Sequence, residues 1–175
     1  MFVRYALGCL ALLTFAFAVG RADAQSADNK EASASSGCTD IDFWAGDWEV
    51  RRQDGKIIAT VTIKLSDGHC FATEYWNYTK LRGSGHSICV IAYSNQKHNW
   101  EYLCAGAFGD RYRFSNGQWL SNELRFEADD MPVGVTQKFS YVLLPGGSIR
   151  ELELESSDEG RTWKTNVDVH WSRKR

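Results

Sequence analysis

The sequence predicts an all-β protein: an antiparallel up-and-down β-barrel of about ten strands, preceded by a short helical turn. Two observations carry the prediction. Tight-turn dipeptides recur through the second two-thirds of the chain, at Asp54-Gly55, Asp67-Gly68, Gly109-Asp110, Asn116-Gly117, Gly146-Gly147 and Glu159-Gly160. They supply the positive-φ residues that short hairpins need. Between them lie runs rich in Val, Ile, Thr, Tyr, Phe and Trp, which suit a pleated, half-buried surface. Sequential strands with short turns favour closure, because closure removes exposed edges. A two-sheet sandwich is the alternative.

Residues 1–24 read as a secretory signal peptide. Arg4 gives a weak positive start, Ala6 to Val19 is apolar, and Ala22-Asp23-Ala24 has the A-x-A cleavage pattern. The apolar stretch is too short to span a bilayer, and no other approaches that length. Residues 25–37 are small and polar and read as a disordered linker. Residues 38–175 suit one domain. The mature protein is therefore expected to be exported, either periplasmic or secreted. Loss of Arg4, Arg21 and Asp23 takes the net charge from −2 to −3. A mildly acidic domain is a poor match for nucleic acid, which needs a basic surface.

Four cysteines remain after cleavage: Cys38, Cys70, Cys89 and Cys104. No C-x-x-C pair or neighbouring His sits at metal spacing, so neither a metal nor another cofactor is expected. An even count in an exported chain favours two disulfides.

The elements follow in order. Thr39 to Ala45 suits a helical turn. Strands are expected at roughly 47–52, 56–65, 70–79, 84–95, 98–108, 111–115, 118–127, 135–144, 148–156 and 163–172. Directly opposed residues share a face, so each turn assigns side chains to the inside or the outside. Asp54-Gly55 sets Val50 against Ala59 and Trp48 against Val61. Asp67-Gly68 sets Ile63 against Ala72, Val61 against Glu74 and Ala59 against Trp76. Glu74, Trp76 and Tyr78 therefore point inward. A Gln96-Lys97 turn pairs Tyr93 with Trp100, Ile91 with Tyr102 and Cys89 with Cys104. The last pair is the preferred disulfide, and it leaves Cys38 and Cys70 at one end of the barrel.

Gly109-Asp110 pairs Gly106 with Arg113 and Phe108 with Arg111, while Asn116-Gly117 pairs Arg113 with Leu120 and Arg111 with Asn122. Both turns assign Arg111 and Arg113 to the inner face. Hydrophobic alternation would instead bury Tyr112 and Phe114, and one bulge at Gly109 would reverse the assignment. Gly146-Gly147 aligns Phe139, Tyr141 and Leu143 with Leu154, Leu152 and Arg150. Glu159-Gly160 adds Thr165 and Val167 to that face, with Val169 and Trp171 following. Glu151, Glu153 and Glu155 then point to water.

The inner face supplies the functional candidates. A carboxylate on an apolar face is costly unless paired or protonated, so Glu74 is expected to meet Arg111, Arg113 or Arg150. Trp76, Tyr78, Tyr93, Trp100 and Tyr102 form an aromatic wall. With Glu74, Arg111 and Arg113, these residues are candidates to hold a small apolar or amphipathic molecule, since a barrel of this size has room for one. The same residues also suit a filled core with an internal ion pair. The expected function is that of an exported small-molecule binding protein. The alternatives are an enzyme using Glu74 as general acid or base and a structural or interaction module with a filled core. No catalytic nucleophile is visible. His69 and His98 sit beside turns, His86 lies near Gly83-Ser84-Gly85, and His170 alternates with Val169 and Trp171, which puts it outside.

Three segments carry a family resemblance: Asp42 to Val50 (DFWAGDWEV), Cys70 to Trp76 (CFATEYW) and Ser156 to Trp163 (SSDEGRTW). They resemble a family of secreted bacterial proteins with a lipocalin-like (calycin) domain, largely of unknown function. The resemblance implies a barrel with a central cavity, brings no catalytic residues with it, and gives Trp44 a structural role. Gly46-x-Trp48 resembles the G-x-W motif of true lipocalins, where an arginine of the last strand packs on the Trp; Arg173 is the matching residue. The lipocalin T-D-Y motif is absent. Ser157 to Trp163 also resembles the Asp-box of sialidase-type propellers, which implies a structural hairpin turn built on Asp158 and Trp163. Haem binding, as in nitrobindin-like barrels, would need a histidine facing inward, and His170 faces the other way.

Overall fold

A 3-10 helix at Cys38–Trp44 leads into ten strands. They are β1 (Gly46–Arg52), β2 (Ile57–Leu65), β3 (Phe71–Tyr78), β4 (His86–Ser94), β5 (Asn99–Gly106), β6 (Arg111–Leu120), β7 (Glu123–Ala128), β8 (Thr136–Leu143), β9 (Ile149–Ser156) and β10 (Lys164–Arg173). The computed structural model describes residues 37–79, 85–129 and 131–175. The segments expected to be a signal peptide and a linker lie, apart from Gly37, outside the described residues. Every strand pairs antiparallel with its sequence neighbour, and β1 pairs with β10 to close the barrel.

The 3-10 helix covers one end. Cys38–Cys70 ties it to the start of β3, and the His69 Nδ1 lies 2.6 Å from Asp42 Oδ1. Trp44 is fully buried beneath it and packs edge-on against Tyr141, with ring centroids 4.2 Å apart. Trp48 donates its indole N–H to the Trp44 carbonyl at 2.8 Å. The guanidinium of Arg173 lies 4.0 Å from the Trp48 ring centroid and donates to the Phe43 and Ala45 carbonyls. Gly46 is required here. Its φ is +117°, and a Cβ on it would sit 2.7 Å from the Arg173 guanidinium.

Loop length decides which side chains face inward. The β2–β3 and β4–β5 loops close Leu65 on Ala72 and Ser94 on Asn99, leaving even numbers of residues between them. The expected parity survives in both. Cys89 opposes Cys104 and bonds to it, and Glu74 opposes Ile63 rather than Val61, still inside.

The loops at Asp54-Gly55, Gly109 and Gly146-Gly147 are three-residue connections instead, closed by Arg52–Lys56, Gly106–Asp110 and Leu144–Ser148 hydrogen bonds. Each ends on a glycine with φ near +80°, the left-handed residue on which a three-residue hairpin loop closes. An odd loop moves every side chain beyond it to the opposite face. In β1–β2 a bulge between Val50 and Arg51 restores the expected Val50–Ala59 pair. After Gly109 the shift persists as far as the bulge at Asn116-Gly117. Tyr112 opposes Cys104, while Arg111 and Arg113 oppose Ala105 and Leu103 on the outer face. The assignment of Arg111 and Arg113 to the inside is thus corrected, and Arg113 pairs with Asp129 at 3.1 Å.

Asn116-Gly117 is a second correction. It is a bulge within β6, and the turn falls at Ser121-Asn122, where Ser121 has φ +62°. Gly117 packs face to face with the core: a Cβ there would lie 2.4 Å from Phe126 and 2.7 Å from Trp100. After Gly146-Gly147, Phe139 opposes Glu153 and Tyr141 opposes Glu151. Glu151 and Glu153 therefore face inward, not to water. A bulge at Asn166 then returns Val167, Val169 and Trp171 to the inside.

At the Asp-box-like turn, Asp158 accepts from the Thr162 amide and hydroxyl at 2.8 and 2.7 Å, and Trp163 donates to the Gly160 carbonyl at 3.1 Å.

Gly117→Ala is expected to lower stability by about 1–3 kcal/mol through overpacking, read from urea unfolding. Arg173→Ala is expected to cost about 1–2 kcal/mol by losing the ring contact and the two carbonyl bonds. Arg173→Lys should recover only part of that loss, because an ammonium lacks the planar fork. Full recovery in the lysine variant would show that charge alone seals this end.

Candidate functional site: a cavity at the open barrel end

The opposite end of the barrel holds a cavity of about 380 Å³. Its wall is aromatic below and polar towards the mouth. Trp76, Tyr78 and Tyr102 line it, joined by Phe114 and Phe139. Trp76 and Tyr78 stack with centroids 5.5 Å apart, and Trp76 meets Trp171 edge-on at 4.9 Å. Strand parity supplies these rings, because alternate residues of one strand share a face.

The expected aromatic wall divides in two. Trp76, Tyr78 and Tyr102 reach the cavity, whereas Tyr93 and Trp100 pack against each other 5.2 Å apart towards the other end, with Trp100 fully buried. The covered end of the barrel lies at the end of β4 and the start of β5, and those two residues occupy these positions.

Glu74 is completely buried behind the wall and is not among the residues lining the cavity. Its expected arginine partners are absent: Arg111 and Arg113 lie outside, and Arg150 forms a bidentate pair with Asp168 at 2.7 and 2.8 Å. Neutral donors hold it instead. Trp76 Nε1 donates to Oε2 at 2.9 Å, Tyr102 OH donates to Oε2 at 3.1 Å, and Tyr141 OH lies 3.4 Å from Oε1. The two tyrosine oxygens are 3.3 Å apart, so Tyr141 can direct its one proton to either acceptor. The Tyr102 oxygen also lies 3.1 Å from Cys104 Sγ, in the Cys89–Cys104 bridge. Glu74 thus fixes the polar ends of two rings whose faces form the wall.

Burial pushes the Glu74 carboxyl up to about 7, and the bonds from Trp76, Tyr102 and Tyr141 oppose that rise. Burial, followed by the charge of Glu74, also raises both tyrosines well above their ordinary value, so they stay protonated as donors.

The sequence reading missed two carboxylates. Glu151 and Glu153 line the cavity. Trp171 Nε1 donates to Glu151 at 2.8 Å and Gln137 Nε2 to Glu153 at 2.5 Å. Their alternation with Leu152 and Leu154 resembles an ordinary solvent-facing pattern, and only the length of the β8–β9 loop reveals the true face. His86, Ser87, Asp110 and Tyr112 also belong to the polar part of the lining.

The chain matches no model of a known protein family, and it matches no curated protein.

The raised Glu74 carboxyl makes stability pH-dependent. Between its unfolded value of 4.5 and its folded value of about 7, the folded protein holds a proton that the unfolded chain releases. That contribution is full below the unfolded value and is lost as pH rises through the folded one. The protein should therefore be roughly 2–3 kcal/mol more stable near pH 5 than near pH 8 on account of this group. Urea unfolding at the two pH values, with the disulfides intact, measures it, and Glu74→Gln should remove that slope. An unchanged slope in the variant would mean that Glu74 titrates normally.

Proposed function

We propose that this is an exported binding protein that holds a small apolar or amphipathic molecule in the open end of a lipocalin-like (calycin) barrel. One observation carries the reading: a cavity of about 380 Å³ lined by aromatic faces, with the polar ends of two rings fixed by a buried carboxylate. Small-molecule sites are typically concave and mostly apolar, with a few placed polar groups, and this volume lies at their lower end. The G-x-W motif, with Arg173 packed on Trp48, supports the lipocalin-like assignment. Two disulfides, Cys38–Cys70 and Cys89–Cys104, support an oxidising, exported location. Among the described residues no helix is long and apolar enough to cross a membrane.

A second reading has one observation in its favour. A carboxyl with a value of about 7 is poised for acid–base work, as in a calycin-type enzyme using Glu74. Against it, Glu74 lies behind the wall and both of its oxygens already have donors within reach.

Purifying the mature protein under native conditions and identifying any co-purified small molecule by mass spectrometry tests the binding reading. A bound molecule is expected, and Trp76→Ala should lose it while keeping the fold by circular dichroism. If no molecule co-purifies and no compound in a broad thermal-shift screen raises the melting temperature, the domain is a filled structural or interaction module.

A further inference from the structure

The Cys89–Cys104 bridge shares the inner face with Glu74. Cys89 lies directly across from Glu74 on the neighbouring strand, and Cys104 lies directly across from Cys89. The two sulfurs differ in access. Cys104 belongs to the cavity lining, while Cys89 does not and is only 1% exposed. Tyr102, which also lines the cavity, brings its oxygen to 3.1 Å from Cys104 Sγ. A disulfide sulfur has no proton to give, and the Tyr102 proton is directed to Glu74 Oε2 at 3.1 Å. The phenol oxygen therefore keeps a lone pair for an incoming proton. A bridge that only staples β4 to β5 needs neither an open side nor a carboxyl group behind it.

Thiol–disulfide exchange needs a thiolate and access to one sulfur of the bridge. An apolar wall disfavours a thiolate arriving from water, so a base at the point of attack gives the reaction its start. Glu74 supplies that base through Tyr102.

We propose that Cys104 is a covalent attachment point for a small apolar thiol that enters the cavity. This rests on the reading of the cavity as a ligand site. The thiol sulfur bonds to Cys104 Sγ as the bond to Cys89 breaks, and the bonding pair leaves on Cys89 Sγ. The thiol proton passes to the Tyr102 oxygen while Tyr102 passes its own proton to the Glu74 carboxylate. Glu74 then returns a proton to the Cys89 thiolate. One disulfide and one thiol become one mixed disulfide and one thiol, so no outside oxidant or reductant is consumed. Attack of the Cys89 thiol on the Cys104 sulfur reverses the step and frees the ligand.

The test exposes the mature, disulfide-bonded protein to benzyl mercaptan near pH 8, where the Glu74 carboxyl, with its value of about 7, is ionised. Early samples are quenched in acid, alkylated under denaturing conditions, digested and mapped by mass spectrometry. The benzylthio group is expected on Cys104 and the alkyl group on Cys89, ahead of any change at Cys38–Cys70, although that bridge is the less buried of the two. Tyr102→Phe should slow the reaction at Cys104 at least about tenfold, as loss of a general base does, and leave the rate at Cys38–Cys70 unchanged. Glu74→Gln should slow it likewise. Looser packing in either variant would speed the reaction instead, so the direction separates proton transfer from a structural effect. Reaction first at Cys38–Cys70, an undiminished rate in Tyr102→Phe, or no adduct at either bridge overturns the inference. In that event benzyl methyl sulfide, which cannot exchange, shows how far the failure reaches. If it binds by isothermal titration calorimetry, the cavity stands as a ligand site without covalent chemistry. If neither it nor any compound of the thermal-shift screen binds, the binding reading fails as well.

Discussion

Closure of the sheet is the constraint on which the rest of this structure depends. Once β1 pairs with β10 there is no edge, and every side chain of every strand is either inside or outside. A change of one residue in a loop then moves a whole strand's side chains across the wall. The protein manages this with bulges. Those between Val50 and Arg51 and at Asn166 each offset an odd connection and keep an apolar series in the core. The odd connections after Gly106 and Leu144 are compensated only farther along, by the bulges at Asn116-Gly117 and Asn166, and between loop and bulge the inside becomes polar: Tyr112 on β6, Glu151 and Glu153 on β9.

The barrel is unequal along its length as a result. One end is sealed by the 3-10 helix, the Cys38–Cys70 bridge and the Arg173–Trp48 contact, and it is filled by large rings such as Trp44, Trp100 and Trp171. The other end keeps its volume and carries the carboxylates. Glu74 lies between the two regimes. Fully buried and held by neutral donors, it is stabilised in its protonated form by the core and in its ionised form by Trp76, Tyr102 and Tyr141. Buried polar groups persist when their hydrogen bonds are met, and here those bonds set the orientation of the cavity wall. Structural and functional roles for Glu74 are therefore compatible, since orienting rings is how it would act on a ligand it does not touch.

Much of the fold was legible in the sequence. Alternation in Ile57–Leu65 and turn chemistry at six dipeptides pointed to ten antiparallel strands, and the meander placed Cys89 against Cys104. Glu74, Trp76 and Tyr78 were assignable to the inner face because the loop before them has an even length, so a misplaced turn left parity intact. Arg111, Arg113, Glu151 and Glu153 were not assignable. A glycine dipeptide signals a positive φ, but the same signal serves a two-residue turn, a three-residue loop and a mid-strand bulge such as Asn116-Gly117.

Sequence alone thus determined the class of the protein: its strands, their order and direction, and the cysteines close enough to bond. These follow from local propensity and neighbour pairing, which short stretches of chain encode. Only the tertiary structure decided what the barrel contains. Loop length and bulges are settled by how the closed sheet packs, as when Gly117 admits Phe126 and Trp100. A difference of one residue there exchanges arginines for glutamates on the inner face.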